Sequence, residues 1–184
     1  MADDTQQSFI ATLQVPNHNL NLLGALFGPP VMVTDLLGSG GVFSGKPQLR
    51  DDSATMGLQS HATGGVKAAL KLYFRHTPKG YEIHIKHPGQ YDRHRLGKNH
   101  MDILHARSPT LKNPLTFTLL DQDNRIVTGS NLNEAHTLIT LKTHNHKFIG
   151  IRRAKSSPHQ YLGETTEHHK AVFLLSIIAR SVAY

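Results

Sequence analysis

Residues 56–74, MGLQSHATGGVKAALKLYF, carry an apolar pattern that the chain repeats further on. Met56, Leu58, Val66, Lys67, Leu70, Leu72 and Phe74 find counterparts, in order and without a gap, in Met101, Ile103, Leu111, Lys112, Leu115, Phe117 and Leu119. A third copy runs through Tyr161, Lys170, Phe173, Leu175 and Ile177, and fails at His159 and His169. Recurrence of this kind means supersecondary units that bury their apolar faces in one shared core. The alignment makes Leu72, Phe117 and Leu175 equivalent core residues.

Around these copies the punctuation is that of short strands separated by Gly, Pro, Asn and Asp. Residues 31–37, 41–44, 56–60 and 70–75 form one set of four. A second set is 81–87, 91–96, 101–106 and 115–120, and a third is 134–143, 147–152, 160–164 and 172–179. Within the third set, residues 142–150 (KTHNHKFIG) read as a hairpin with a polar turn at Asn145. Three sets of four strands with internal similarity predict an all-β fold, a β-trefoil with three internal repeats over residues 31–184. In that fold six strands close a barrel and three hairpins cap one end, which leaves no long free edge. A β-sandwich also has many short strands but gives no reason for a threefold repeat.

Ahead of this domain, residues 1–30 read as a separate N-terminal strand and apolar arm. Phe9, Ala11, Leu13 and Val15 alternate on one face up to Pro16, which is a strand signal. Residues 20–27 (LNLLGALF) are apolar and stop at Gly28-Pro29-Pro30. Their spacing fits a short helical turn or a buried strand, packed over a barrel end or held out to engage a membrane or a partner. A short helix at residues 66–70 is also open.

At 184 residues, with 38% hydrophobic and 18% charged residues, the chain has the composition of an ordinary globular domain. The absence of cysteine excludes disulfides, thiolate metal sites and cysteine nucleophiles. The acidic, polar start MADDTQQ is unlike a secretory signal, and no run reaches the apolar length of a membrane span. These features suggest a soluble cytoplasmic protein, with release by a non-classical route left open. The formal charge of +7 favours encounter with anionic partners such as nucleic acid, acidic glycans or lipid head groups.

Two resemblances follow from particular runs. Residues 138–151 (LITLKTHNHKFIGI) resemble the strand, turn, strand motif of fascin-like β-trefoils, with His146-Lys147-Phe148-Ile149-Gly150 in the place of a Gly-Lys-Tyr-Leu hairpin. The second set is loosely similar to the repeats of the mussel galactose-binding β-trefoil lectins, through Ile85-Lys86-His87, Gly89-Gln90-Tyr91, His94 and Leu104-His105. It lacks the full His-Pro-Gly-Gly loop and the third-strand Asp of that family. A chain without tryptophan cannot carry the Gln-x-Trp element of ricin-type lectins. The resemblances imply a trefoil fold and a binding function without a cofactor.

Fourteen histidines are the compositional oddity. Imidazole can ligate a metal, titrate near neutral pH or bond to sugar hydroxyls. His144 and His146 would share one face of a continuous strand. Yet no spacing matches a structural zinc set or a helical His-Glu-x-x-His, so no metal site is read. Catalysis has as little support: there is no Gly-x-Ser-x-Gly or P-loop, and Gly38-Ser39-Gly40-Gly41 lacks the lysine and helix a phosphate loop needs. The neighbouring carboxylates Asp51 and Asp52 read as solvated. The chain is therefore expected not to be an enzyme.

Trefoils most often bind through loops between strands, and a sugar site combines short polar groups with an aromatic face. The second set offers Tyr91, Asp92, Arg93, His94, Asn99 and His105. The third offers Tyr161, Glu164 and His168, with Lys147 and Arg152, and the first only Phe43, Ser44, Lys46 and Asp51. The leading expectation is a carbohydrate-binding protein whose partner is a glycan or glycoconjugate. A second reading is a fascin-like protein binding actin or an acidic polymer through a basic face of Arg93, Arg95, Arg107, Arg152, Arg153 and Lys155. A third is an inhibitor or toxin that uses the arm.

Overall fold

The computed structural model describes residues 4–35 and 48–184. The strand expected at 41–44, the glycine run at 38–41, and Phe43, Ser44 and Lys46 lie outside the described residues. From the N-terminus the elements are α1 (Asp4–Gln7), β1 (Phe9–Gln14), β2 (His18–Leu22), α2 (Leu23–Phe27), β3 (Met32–Asp35), β4 (Gln48–Asp51), β5 (Met56–Ser60) and α3 (His61–Gly64). There follow β6 (Lys71–Thr77), β7 (Gly80–Ile85), β8 (Arg95–Lys98), β9 (Leu104–Arg107), β10 (Phe117–Leu120) and β11 (Ile126–Val127). The last are β12 (His136–Thr143), β13 (Phe148–Arg153), β14 (Gln160–Thr165), a 3-10 turn (Glu167–His169) and β15 (Phe173–Arg180). Strand makes up 49% and helix 10% of the described residues, so the fold is all-β as expected.

Six strands close a barrel in the order β1-β6-β7-β10-β12-β15, with β15 returning to β1. Outside it, among the described residues, β3 pairs with β4, and three further hairpin-like pairs stand together: β2 with β5, β8 with β9, and β13 with β14. They meet one another through the pairs Tyr161 with Gly57, Thr55 with His105, and Ile103 with Gly163. Two-residue periodicity fills the barrel, because every second side chain of a strand points inward. Phe9, Ala11 and Leu13 of β1 meet Leu72 and Phe74 of β6, Tyr81 and Ile83 of β7, and Phe117 and Leu119 of β10. Ile139, Leu141, Phe173 and Leu175 complete the ring. Phe9 stacks on Phe74 at 4.8 Å and takes the edge of Tyr81 at 5.5 Å. Each such side chain contributes about 1.5–3 kcal/mol of burial.

The first set of strands is composed differently from the sequence expectation. Phe9–Gln14, read as lying ahead of the barrel, is one of its staves, and the hairpin partner of β5 is His18–Leu22. Strand β3, at the start of that expected set, pairs among the described residues only with β4, where no strand was expected. The apolar arm is docked: Leu20 and Leu22 enter the barrel core. Leu23 and Leu26 of α2 pack with Val31, Ile103 and Tyr161 in a second cluster. Gly28, at φ +82°, ends α2 ahead of the two prolines, taking a conformation that glycine adopts without penalty. Residues 65–70 carry no helix, and a short one stands just before them at His61–Gly64.

Two strands begin later than their apolar patterns predict. Tyr91 to His94 form turns, with the Asp92 N–H donating to the Gly89 carbonyl and the His94 N–H to the Tyr91 carbonyl. At 101–103 the side chain of Asn99 accepts from the N–H groups of Met101 and Ile103, holding a tight turn before β9.

Candidate functional site

The turn that delays β8 closes a loop that forms one wall of a cleft, and of the expected site residues Tyr91 alone lines it. The Ile85 N–H donates to the His94 carbonyl at 2.8 Å, and the Arg93 N–H to the Ile85 carbonyl at 2.8 Å, so the loop of residues 86–94 closes on the end of β7. Tyr91 is half-buried against the barrel core and meets the His94 ring edge-on at 5.5 Å. Asp92 beside it is exposed. Across from this loop, Asn21 and the start of α2 form the other wall of a cleft of about 300 Å³. Leu70 and Ile85 are among its apolar lining, and Tyr91, His87 and Gln90 line the loop side. This arrangement offers one aromatic ring and several amide or imidazole groups to a small polar ligand.

The other expected residues stand elsewhere and serve other bonds. Asn99 is committed to its turn. His105, half-buried on β9, has Nδ1 3.5 Å from the Thr55 hydroxyl. Burial pushes its pKa below the ordinary value, Arg107 adds to that, and Asp52 opposes it.

Tyr161 is 0% exposed and cannot offer a ring face to a ligand. Its hydroxyl donates to Asp52 Oδ2 at 2.5 Å, and Ser157 Oγ lies 2.6 Å from the phenol oxygen. Burial and the bond to Asp52 push the phenol up to about 12. Asp52 is itself 2% exposed and takes Arg50 Nε at 2.7 Å and Nη2 at 3.1 Å, so it is not the solvated carboxylate its position beside Asp51 suggested. Glu164 is buried between Thr143 Oγ1 at 2.7 Å and Lys98 Nζ at 2.8 Å. Lys98 also reaches Asp102 at 2.9 Å; burial draws its pKa down, but the bonds to the two carboxylates outweigh that and hold it above the usual value. His168 stands exposed on the 3-10 turn.

The structure therefore holds Tyr91, Asp92 and His94 in one loop, of which Tyr91 alone lines the cleft, and leaves Asn99, His105, Tyr161, Glu164 and His168 apart from it. Asn21, His87 and Gln90 were not among the expected site residues. Their positions, Asn21 on β2 and His87 and Gln90 in the loop, gave no signal, since the cleft exists only where the loop faces β2 and α2. His144 and His146 lie in the turn between β12 and β13, not on one strand face, with His146 at φ +60°. Among the described residues no group of three or more His, Asp or Glu is placed to hold a metal ion, and no helix is long and apolar enough to cross a membrane.

A second cleft, of about 260 Å³, lies between the β8–β9 hairpin, residues 108–115 and the turn after β12. Arg95, Lys98, Arg107, Lys112 and His144 line it. Arg95 and Arg107 face each other across the β8–β9 ladder. No protein-family model matches the chain, and comparison with curated proteins and with solved structures gives no match.

Proposed function

We propose that the chain is a non-enzymatic, carbohydrate-binding β-trefoil that takes a sugar in the cleft beside Tyr91. The observation that carries this reading is the placing of the Tyr91 ring in a concave site with Asn21, His87 and Gln90. A pyranose has an apolar face for an aromatic ring and hydroxyls for short polar groups, and such a cleft offers both. The loop backbone is held in advance by its own hydrogen bonds and the ring packs against the core and His94, which limits the ordering cost of binding.

The trefoil reading is supported by register. Within the barrel Leu72 pairs with Ala11, Phe117 with Tyr81 and Phe173 with Ile139. Phe173, and not Leu175, thus corresponds to Leu72 and Phe117. In the cap the cyclic pairs place Thr55, Ile103 and Tyr161 in one role and Gly57, His105 and Gly163 in the next. The two clefts also correspond. Each lies between the second strand of one unit and the first loop of the following unit, with Leu70 in one where Leu115 stands in the other.

The test is a glycan array with the natural protein and Tyr91→Ala, with circular dichroism to check that the barrel persists. Binding to uncharged glycans that survives moderate salt and is lost in Tyr91→Ala is expected, because hydroxyl contacts release no counterions. Failure to retain any glycan at any salt overturns the reading.

A further inference from the structure

We propose that the second cleft is an anion site that takes a sulfate ester of a glycan. The assignment of a glycan as the carrier rests on the carbohydrate reading; the anion site itself rests on the cleft. Its lining includes Arg95, Lys98, Arg107 and Lys112 and no carboxylate. Lys98 is neutralised by Asp102 and Glu164, which accept from its ammonium. Arg95 is held by the Pro109 and Leu111 carbonyls and stands 3.6 Å from Glu82. Arg107 and Lys112 have no carboxylate within ion-pair distance among the described residues, so their charge is uncompensated.

Like charges opposed across a ladder are unfavourable. The pair Arg95 and Arg107 is nonetheless built in, and it is held in place. Arg107 Nη1 donates to the Lys98 carbonyl at 3.2 Å. Its stem lies flat over Gly97, where a Cβ would come 2.5 Å from Arg107 Cδ and 3.0 Å from Cγ. A glycine under the arginine stem is what lets the guanidinium reach along the hairpin into the cleft. On the opposite wall His144 Nδ1 lies 3.4 Å from the N–H and hydroxyl of Thr116. As acceptor of that N–H, Nδ1 leaves the ring hydrogen on Nε2. Guanidinium, ammonium and imidazole N–H groups around one small concavity form a receptor for an ionised oxyanion.

A nucleic acid fits less well. No Phe or Tyr ring lines the cleft, and single strands need stacking platforms. A duplex needs a row of cations that follows its backbone, whereas the cations of this cleft surround one small concavity.

The experiment is calorimetric titration with a sulfated hexasaccharide, the same oligosaccharide after desulfation, and a single-stranded polydeoxynucleotide. The natural protein is compared with Arg107→Ala, Lys112→Ala, Gly97→Ala and Tyr91→Ala, each checked for folding by its thermal melt. The sulfated sugar is expected to bind at least about tenfold more tightly than the desulfated one, and Arg107→Ala to lose about tenfold, the scale of a charge-assisted bond. Gly97→Ala should weaken binding although it removes no charge, because the new methyl displaces the Arg107 stem. Lys112→Ala should reduce the steepness of the salt dependence. Equal affinity for the two sugars, with binding lost in Tyr91→Ala, overturns the anion site and leaves the carbohydrate reading standing. Sulfate-dependent binding that ignores Arg107→Ala and Gly97→Ala overturns the location. Capture of the polydeoxynucleotide with no affinity for either sugar overturns both readings.

Discussion

Tyr161 on β14 donates its phenolic hydrogen to Asp52 at 2.5 Å, and this bond joins one hairpin to the segment that precedes another. Because that hydrogen goes to Asp52, Ser157 must donate to the phenol oxygen. The Asp52 backbone is engaged as well, its N–H donating to Val31 and its carbonyl accepting from Thr55. Tyr161→Phe leaves a buried carboxylate oxygen short of a partner, and should lower stability by about 1–3 kcal/mol. Asp52→Ala should cost more, since it leaves the phenol without its acceptor. Urea midpoints of the two variants check the order.

Phe117 is fully buried in the barrel, where it pairs with Tyr81. Its replacement by alanine should cost about 3–5 kcal/mol, and Phe173→Ala should cost a similar amount. Val66→Ala, at an exposed site, should leave the denaturation midpoint within about 0.5 kcal/mol of the natural protein. A midpoint unmoved by Phe117→Ala would contradict the packing.

Three histidines make stability fall in acid. Burial pushes the pKa values of His84, His105 and His159 below their ordinary value, although Glu82 opposes this at His84 and Asp52 at the other two. The unfolded chain therefore binds protons at these sites before the folded chain does. Stability is fully present above the unfolded value, about 6.5, and is lost as pH falls from there through the lower folded values. The urea midpoint should drop between pH 7.5 and 5.5, and His84→Gln should shrink that drop.

Gly163 has no space for a side chain. A Cβ there would stand 2.7 Å from the Asp102 carbonyl oxygen and 3.0 Å from Ile103 Cα, both backbone atoms of the neighbouring hairpin. Gly163→Ala must push the hairpins apart, at a cost of about 1–3 kcal/mol. In a chain of this length that lowers the melting temperature by about 2–4 °C for each kcal/mol. A melt unchanged by the substitution would show that the cap yields freely.

The strands were legible because the signals are local. The alternation of Phe9, Ala11 and Leu13, and the turn at residues 143–147, are written in neighbouring residues. What was hidden depends on distant partners. Nothing in Phe9–Gln14 says that its neighbours will be β6 and β15. In the proposed trefoil register Phe173 takes the place that the sequence alignment gives to Leu175, because the two share a face: a slip of two residues preserves the pattern, whereas a slip of one would expose it. Of the expected site, Tyr91, Asp92 and His94 do share a loop, being close in sequence. The burial of Tyr161 was not readable, since its partner Asp52 stands 109 residues away in the chain. The opposition of Arg95 and Arg107 likewise follows from register alone.

The pairing of β1 with β15 sets a timetable for synthesis. Phe9 stands beside Arg180 and Leu13 beside Leu175, so the barrel stays an open sheet until residues 173–180 have left the ribosome. Until then β1 has β6 on one side and an unpaired edge on the other, the kind of edge that recruits strands from other chains. Closure across so long a loop is slow, because the entropy of bringing the ends together is spent before any contact rewards it. The newborn chain thus passes through an interval in which its earliest strand is its most vulnerable, and a chaperone that shields this edge would act on the whole barrel.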